Sequence, residues 1–443
     1  MHPAPGASLL QPSPAPASNN SVEAAGAGTP AAAPNAPAPP GAFLLIGLGL
    51  LATTLGNPLW NGAGLPAGGL PLNILLKERL NFDAVQIAGF VGLAGLPWYF
   101  KPVAGALCDA MPFLGSRRRS YLLVCTAAAA VLGLALGIIT PTPRTLLATL
   151  MLLTTFVMIA STVTGGLLVE AGQRFNASGR VSALRLAVTR SCDLVGASLG
   201  GWLAGRPLIL LGMLGALLHS ALFAGTRRWL REPPPPASTD RVGPNFRRQG
   251  RTILQARTLW GVAGMIFLVM AEPGFGLPLL FQQRDTLQFS TGFIGLLGTI
   301  SAATGILAAL LYGRICRRWS LRRLLAAGIG SHVVGTLAYL AYDSRTAALV
   351  VAGLSGWFFS LAILPLLDLS ARVTPRGSEA LGYSVIVSVM NVAVLVSNLA
   401  GSWLYSRFGL TFMDLVWLNS GTTLIAFIAV PFLPALLVDR RDG

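Results

Sequence analysis

Long apolar segments recur along this chain, and they restrict its fold more than any other feature. A helix needs about 20 mostly apolar residues to cross roughly 30 Å of hydrocarbon. Segments of that kind recur from Phe43 to Leu437, and we count twelve. They lie at residues 43–76, 84–108, 120–139, 145–170, 183–205, 207–225, 258–281, 290–313, 321–342, 346–370, 379–406 and 409–437. The chain is therefore predicted to be an all-α membrane protein with twelve transmembrane helices.

The composition agrees with that class. Of the 443 residues, 53% are hydrophobic and only 11% are charged, and the mean hydropathy is +0.66, above the usual range of soluble domains. The first segment, at 34 residues, is too long for a simple span, since it would extend about 50 Å as a continuous helix. Because it contains Asn57-Pro58 and Pro71, we interpret it as one broken or protruding helix, with two separate segments as the alternative.

Arginine and lysine residues are distributed unequally between the two sides of the predicted bundle. With a cytoplasmic N-terminus, 22 of the 32 lie in cytoplasmic loops and tails, 7 lie outside and 3 lie within spans. Cytoplasmic loops carry the Lys/Arg excess in membrane proteins, so both termini are expected in the cytoplasm. Topology thus accounts for the net charge of +16, and nucleic-acid binding is not expected. The absence of a secretory or transit segment favours a bacterial inner membrane over an organelle envelope.

The chain divides into two halves around a polar, Pro-rich segment. The halves are faintly alike, since LGGWLAG at 199–205 resembles LAGSWLY at 399–405. Two similar six-helix halves around a central site are typical of transporters. The predicted parts are a disordered Pro/Ala-rich tail (1–42), an N-terminal half (43–225), a cytoplasmic linker (226–257), a C-terminal half (258–437) and a short cytoplasmic tail (438–443).

Transport is the leading functional hypothesis, with an enzyme and a non-transporting receptor or assembly protein as alternatives. The sequence has only three histidines, His2, His219 and His332, and no zinc-protease, serine-hydrolase or phosphate-loop motif. The four cysteines lack metal-ligand spacing. We therefore expect no enzyme activity, no cofactor and no metal, and a monomer in the bilayer that carries a small molecule.

A charged stretch between the second and third spans combines features of a helix end and a tight loop. In PWYFKPVAGALCDAMPFLGSRRRSYL, Asp109 falls at the end of a span and precedes Arg117, Arg118 and Arg119. A carboxylate and arginines at helix ends can bond in one conformation and separate in another. These four residues are gating candidates, and anchoring of the topology is the alternative role for the arginines.

This stretch resembles the signature of the folate-biopterin transporter family, a branch of the major facilitator superfamily. The resemblance extends to FIGLLGTISAATGILAALLYGRICRRWSLRRLL and to LPLLDLSARVTPRGSEALGYSVIVSVMNV, and covers about residues 43–437. It implies a fold of the major facilitator type and a folate, a pterin or a related organic anion as cargo. One departure is Gly165, at a position where the family pattern carries Asp, five residues before Glu170.

Charged residues within the spans are the candidates for cargo binding. An ionisable side chain in the bilayer costs about 2.5–3.5 kcal/mol or more and usually faces a pathway or a partner. Lys101, about 12 Å from the cytoplasmic end of its span, is predicted to contact the anionic cargo, with a pair to Asp109 or Asp193 as the alternative. Arg190 is a second candidate, and it can also neutralise Asp193 three residues later.

Other candidates follow from residue type and position. Glu272, beside Pro273 and Gly274 in the seventh span, is predicted to carry the coupled proton, because a buried carboxyl group holds its proton more readily. Asp193 is predicted to be a second residue involved in proton coupling. Asp368, Glu379 and Glu170 lie near cytoplasmic helix ends and are predicted to form gating bonds with Arg372, with Arg376 and with Arg174 or Arg180. Asn57 and Asn391 are predicted to hydrogen-bond the cargo. A different amphipathic cargo, or export instead of import, is the alternative within the same fold.

Overall fold

The structure is a computed structural model, which describes residues 40–59, 70–82, 84–203, 206–232, 242–428 and 439. Most of the predicted N-terminal tail and of the C-terminal tail lies outside these residues. The α-helices are α1 Pro40–Leu55, α2 Leu70–Glu78, α3 Ala84–Ala94, α4 Lys101–Ala110, α5 Arg119–Ile138, α6 Pro143–Arg174, α7 Ser178–Leu203, α8 Leu208–Trp229, α9 Val242–Gln255, α10 Arg257–Met270, α11 Gly276–Phe281, α12 Thr291–Ile315, α13 Leu321–Leu337, α14 Arg345–Val373, α15 Glu379–Phe408 and α16 Phe412–Ile428.

The helices agree with the predicted membrane spans. Within the described ranges, seven helices have the length and apolar composition of a span, and a bent pair, α9 with α10, would add an eighth. The remaining predicted spans coincide with α7, with α16 and with the pairs α1/α2, α3/α4 and α10/α11. The twelve-span all-α fold is thus consistent with the helices. In the first predicted span, α1 ends at Leu55 and α2 begins at Leu70, and residues 60–69 lie outside the described part of the chain, so both interpretations of that span stay predictions.

Two other spans are interrupted at proline residues. Between α3 and α4, the short 3-10 helix Leu96–Phe100 contains Pro97, so Lys101 begins a new helix within the span. Between α10 and α11 the chain is non-helical around Pro273, because proline has no N–H to donate to the helix. The amide of Asn419 donates to the Pro273 carbonyl over 3.1 Å, which satisfies part of the opened backbone.

The helices pack within each half and also across the boundary between the halves. In the N-terminal half α5 packs on α6 and α8, and in the C-terminal half α14 packs on α12 and α13. Across the halves, α7 packs on α12 and α14, while α4 and α6 pack on α15. The cytoplasmic linker predicted at 226–257 also contains a helix, α9, which contacts α4.

Candidate functional site

One buried arginine, at the start of α5, joins the two halves. The guanidinium of Arg118 lies 2.5 Å from the carboxylate of Glu170, 2.9 Å from that of Glu379 and 3.7 Å from that of Asp109. Its side chain is only 3% exposed. Asp109 and Glu170 belong to the N-terminal half and Glu379 begins α15, so this contact spans more than 260 residues of sequence.

Backbone groups extend the same contact. The amide N–H of Leu381 donates to the Asp109 carboxylate over 2.8 Å, and Arg117 donates to the carbonyl of Gly377 over 3.0 Å. The N–H of Gly377 donates to Glu379 over 2.6 Å. We call Asp109, Arg117, Arg118, Glu170, Glu232, Gly377, Glu379 and Leu381 the inter-half cluster.

Glycines allow the helices beside the cluster to approach closely. A Cβ on Gly105 of α4 would lie 2.8 Å from the carbonyl oxygen of Ala380. A Cβ on Gly166 of α6 would lie 3.0 Å from the Ala380 Cβ. Real Cβ atoms are rarely found this close to another atom. The backbones of α4 and α6 can therefore lie against the first turn of α15 because Gly105 and Gly166 have no side chain.

Arg118 carries its charge within the cluster. Burial lowers the pKa of Arg118, but Glu170, Asp109, Glu379 and Glu232 raise it, and the net shift is upward. Glu232, which follows α8, also accepts hydrogen bonds from the backbone N–H groups of Arg118 and Arg119. Removing one partner of a buried ion pair costs about 3–5 kcal/mol, so the cluster stabilises the contact between the halves.

The structure brings together most of the predicted gating residues. Asp109, Arg117, Arg118, Glu170 and Glu379 meet in the inter-half cluster, and Arg119 contributes its backbone N–H. Asp368 lies elsewhere, paired with Arg372 over 2.7 Å and hydrogen-bonded to the Tyr312 hydroxyl. The Asp368–Arg372 pair was predicted from the sequence. The contact of both Glu170 and Glu379 with Arg118 was not, because it depends on the fold.

Lys101 lies at the start of α4, deep in its span. Its ammonium donates to the hydroxyl of Ser161 on α6 over 3.1 Å and lies 5.1 Å from the ring centre of Trp98. Neither alternative pair, with Asp109 or Asp193, forms in the described part of the chain. A neutral hydroxyl and an aromatic face thus surround this cation.

A second cation, which the sequence analysis did not select, lies close to the first. Arg185 of α7 donates to the hydroxyl of Tyr383 on α15 and lies 5.2 Å from the centre of its ring. It is near enough to Lys101 for the two charges to repel. Its position within an apolar span was the available signal, but sequence alone does not show that it shares a site with Lys101.

Gly165 lies in the same place. It follows Ser161 by one turn of α6, and a Cβ built on it would be 3.2 Å from the ring of Tyr383. We call Lys101, Ser161, Gly165, Arg185 and Tyr383 the cationic patch. It carries two positive charges, and neither is paired with a carboxylate of the described residues.

Arg190 is paired with a carboxylate, unlike Lys101 and Arg185. Its guanidinium lies 3.5 Å from the carboxylate of Asp193, and both side chains are largely buried. It also lies 5.5 Å from the ring centre of Phe359 on α14. The predicted pair between the two is therefore present, and an aromatic ring of the other half covers it.

A carboxylate and a histidine face each other in the C-terminal half. The His332 ring lies 3.4 Å from one carboxylate oxygen of Glu272, and both side chains are largely buried. The other oxygen of Glu272 has no hydrogen-bond partner among the described residues. His332 also contacts Phe359, at 6.0 Å between ring centres, so that ring touches both Arg190 and the Glu272–His332 pair.

The two asparagines occupy different environments. Asn57 is 5% exposed, and its side-chain oxygen accepts a hydrogen bond from the N–H of Leu59. Asn391 lies on an exposed part of α15. Their contact with a cargo stays a prediction.

The described residues contain no group of three or more His, Cys, Asp or Glu side chains that could hold a metal ion. The four cysteines are buried. What the site presents is charge and aromatic surface, arranged for binding.

Comparisons with known proteins show which families and proteins this chain is similar to. The model of the BT1 family matches residues 63–225, and that of the Major Facilitator Superfamily matches residues 274–442. A folate-biopterin transporter of Synechocystis sp. is 27% identical over 398 residues, covering 83% of this chain and 78% of that protein. Folate transporter 1 of Plasmodium falciparum is 22% identical, covering 77% and 70%.

Solved structures share the fold at low identity. The human organic anion transporter MFSD10 superimposes with a TM-score of 0.64 at 15% identity, covering 89% of this chain and all of that one. A bacterial homologue of the iron transporter ferroportin gives a TM-score of 0.62 at 17% identity, covering 88% and 98%. The resemblance to folate-biopterin transporters is confirmed: the matched families and relatives are transporters and not enzymes, and the chain is a multi-pass membrane protein with the fold of the major facilitator type.

Proposed function

We propose that this major facilitator transporter moves folate, a pterin or a related organic anion across the membrane by alternating access. The cationic patch carries the proposal, because Lys101 and Arg185 lie within the spans and no described carboxylate pairs with either of them. Charges at such depth are costly unless they face a pathway or a partner. An anionic cargo supplies the missing negative charge.

The groups around the patch suit a flat, acidic molecule. Folate has an aromatic pterin at one end and two carboxylates at the other. The two cations can form charge-assisted hydrogen bonds with those carboxylates, while Trp98 and Tyr383 offer ring faces beside them. The named activity of the Synechocystis and Plasmodium relatives supports the same cargo class.

The inter-half cluster serves as a gate in this proposal. When it forms, α4 and α6 lie against α15 and close the pathway at that face of the bundle. Opening that face separates Arg118 from Glu379 and Asp109 from the Leu381 amide. Transport then alternates between this closed state and one in which the opposite face closes.

A proton gradient drives the cycle in our proposal, with Glu272 as the proton carrier. The support is the unpaired oxygen of Glu272 in a largely buried site, next to His332. Asp193, paired with Arg190, is the second carboxyl group that we assign to coupling. Phe359 touches both pairs, so a change at one site can reach the other.

The distribution of arginine supports the remaining parts of the proposal. The face that carries the inter-half cluster is the one with the Lys/Arg excess, so we place it in the cytoplasm together with both termini. We also propose that the protein is a monomer in a bacterial inner membrane. Protease protection of tags at each terminus in inverted and right-side-out vesicles tests the orientation.

Equilibrium binding to the purified protein tests the cargo assignment. We expect radiolabelled folic acid to bind, and Lys101→Gln and Arg185→Gln each to weaken binding by about 10- to 100-fold, since a hydrogen bond to a charged group contributes about 1.5–3 kcal/mol. Lys77→Gln, which changes the only other lysine, is the matched control. A neutral pterin should lose much less affinity in both variants.

Two results would contradict the assignment. Binding of folic acid to the wild type and both variants with the same dissociation constant would remove the patch from the site. A loss of affinity for the neutral pterin as large as that for folic acid would mean that the cations do not act through the carboxylates.

A further inference from the structure

The helix in the linker lies at a steep angle to the span that follows it. The described part of α9, Phe246–Gln255, meets α10 at a bend of 63°. Because α10 runs across the membrane, α9 extends sideways along the face that carries the inter-half cluster. A helix in that position meets the headgroup region of the bilayer.

The exposed surface of α9 combines arginine with apolar side chains. Arg247, Arg248 and Arg251 are exposed, and the helix contains no acidic residue. Leu254 is 72% exposed and Phe246 is 40% exposed. Arg247, Arg251 and Leu254 follow the i, i+4, i+7 spacing, so they form one stripe. Helices that lie in a membrane interface carry Lys or Arg on a polar face and Trp, Phe or Leu on an apolar face, and α9 exposes side chains of both kinds.

The opposite edge of α9 packs on both halves of the protein. Ile253 is buried, and α9 contacts α4. The Ile253 side chain would lie 3.3 Å from a Cβ on Gly382 of α15, and the Trp260 indole donates to its carbonyl over 3.0 Å. Because α4 and α15 also carry Asp109 and Glu379, α9 touches both sides of the inter-half cluster.

We infer that α9 is a docking surface for anionic phospholipid, and that lipid bound there stabilises the closed state of the inter-half cluster. Three arginines without an acidic neighbour on the helix complement a negative headgroup, and none of the three forms an ion pair with the described residues. The exposed Leu254 and Phe246 would contact the acyl chains. The regulatory part of this inference rests on the proposed gate, whereas the lipid site itself does not.

Lipid binding to the full-length purified protein tests the docking surface. We expect native mass spectrometry in neutral detergent to show tighter binding of phosphatidylglycerol than of phosphatidylcholine. Arg247→Gln, Arg248→Gln and Arg251→Gln together should weaken phosphatidylglycerol binding by on the order of 10- to 100-fold, given the contribution of each basic residue at an anionic surface. Raising the ionic strength should weaken wild-type binding as well.

The matched control removes the same charge from another exposed segment on the same face, the loop before α13 and its first turn: Arg317→Gln, Arg318→Gln and Arg323→Gln together. This control should keep wild-type affinity. The inference is overturned if the α9 variant binds phosphatidylglycerol like the wild type, or if the control loses as much affinity as the α9 variant. Equal binding of the two lipids by the wild type would overturn it too, whether or not the variants fold.

Hydrogen–deuterium exchange in nanodiscs tests the effect on the gate without any cargo, so its outcome is separate from the cargo assignment. We expect phosphatidylglycerol to slow exchange at residues 379–387 relative to phosphatidylcholine, and the α9 variant to lose this difference. Exchange that is the same in both lipids, while phosphatidylglycerol still binds α9, would contradict the regulatory part alone.

Discussion

Gly165 lies beside the two cations of the proposed binding site. It lies against Tyr383, whose hydroxyl holds Arg185, and it is where the family pattern carries an acidic residue. An aspartate here would put a negative charge beside the cationic patch. Its absence leaves the charge of Lys101 and Arg185 available to a cargo.

This gives a prediction at the residue scale. Gly165→Asp should weaken folic acid binding by about tenfold or more, because the new carboxylate competes for the same cations. Gly165→Asn has nearly the same size and the same close contact with Tyr383 but no charge, so it should keep most of the affinity. Equal loss in the two variants would show that the ring contact, and not the charge, is responsible.

Single residues were predicted unevenly from the sequence. Lys101 was identified because a lysine in an apolar span is rare, and Glu272 because it adjoins Pro273. Arg185 and His332 were not selected, since their significance depends on partners on other helices, Tyr383 and Glu272. Hydropathy and spacing report on one helix at a time and do not show which side chains face each other.

At the scale of the element, two features position α4: the helix break before Lys101 and the close contact of Gly105 with α15. The 3-10 helix Leu96–Phe100 lets α4 begin at Lys101, and Gly105 then lets α4 approach α15. The break at Pro273 has a signal in the sequence, because proline and glycine adjoin there. The break at Pro97 was not predicted, and neither was α9, because the Pro-rich start of the linker favoured an irregular segment.

Gly105 therefore gives a prediction about helix packing. Gly105→Ala puts a methyl carbon 2.8 Å from the Ala380 carbonyl oxygen, and overpacking of this kind typically costs about 1–3 kcal/mol. We expect faster hydrogen–deuterium exchange at residues 379–387, because the closed state is disfavoured. Gly92→Ala is the control, since a Cβ there has no atom within 4 Å. If Gly105→Ala exchanged at the wild-type rate, the close contact between α4 and α15 would not stabilise the closed state.

At the scale of the whole molecule, the two halves meet through charges that are far apart in sequence. The even number of spans and the inside termini were predicted from the positions of arginine and apolar residues. The contact of Arg118 with Glu379 was not, because nothing local fixes which helix ends meet once the halves close. The sequence indicated gating residues, and the fold determines their partners.

Arg118 gives the prediction for this scale. Arg118→Gln leaves three carboxylates without their shared cation, and such a loss costs about 3–5 kcal/mol. Spin labels at Leu114→Cys and Arg376→Cys, both exposed positions, should then report longer distances between the halves. Arg119→Gln, the control, keeps the backbone contact with Glu232 and should leave the distances between the labels unchanged. If Arg118→Gln gave the same distance distribution as the wild type, the cluster would not hold the halves together.

Uptake of radiolabelled folic acid into cells that lack their own folate importers tests the central claim most directly. The measurement compares the wild type, Lys101→Gln and Glu272→Gln at equal membrane abundance, each with and without a proton uncoupler. We predict saturable uptake by the wild type that the uncoupler reduces, loss of uptake in Lys101→Gln, and a Glu272→Gln protein whose residual transport no longer responds to the uncoupler. Saturable uptake that is the same in all three proteins, or no uptake by a correctly inserted wild type, would contradict the account.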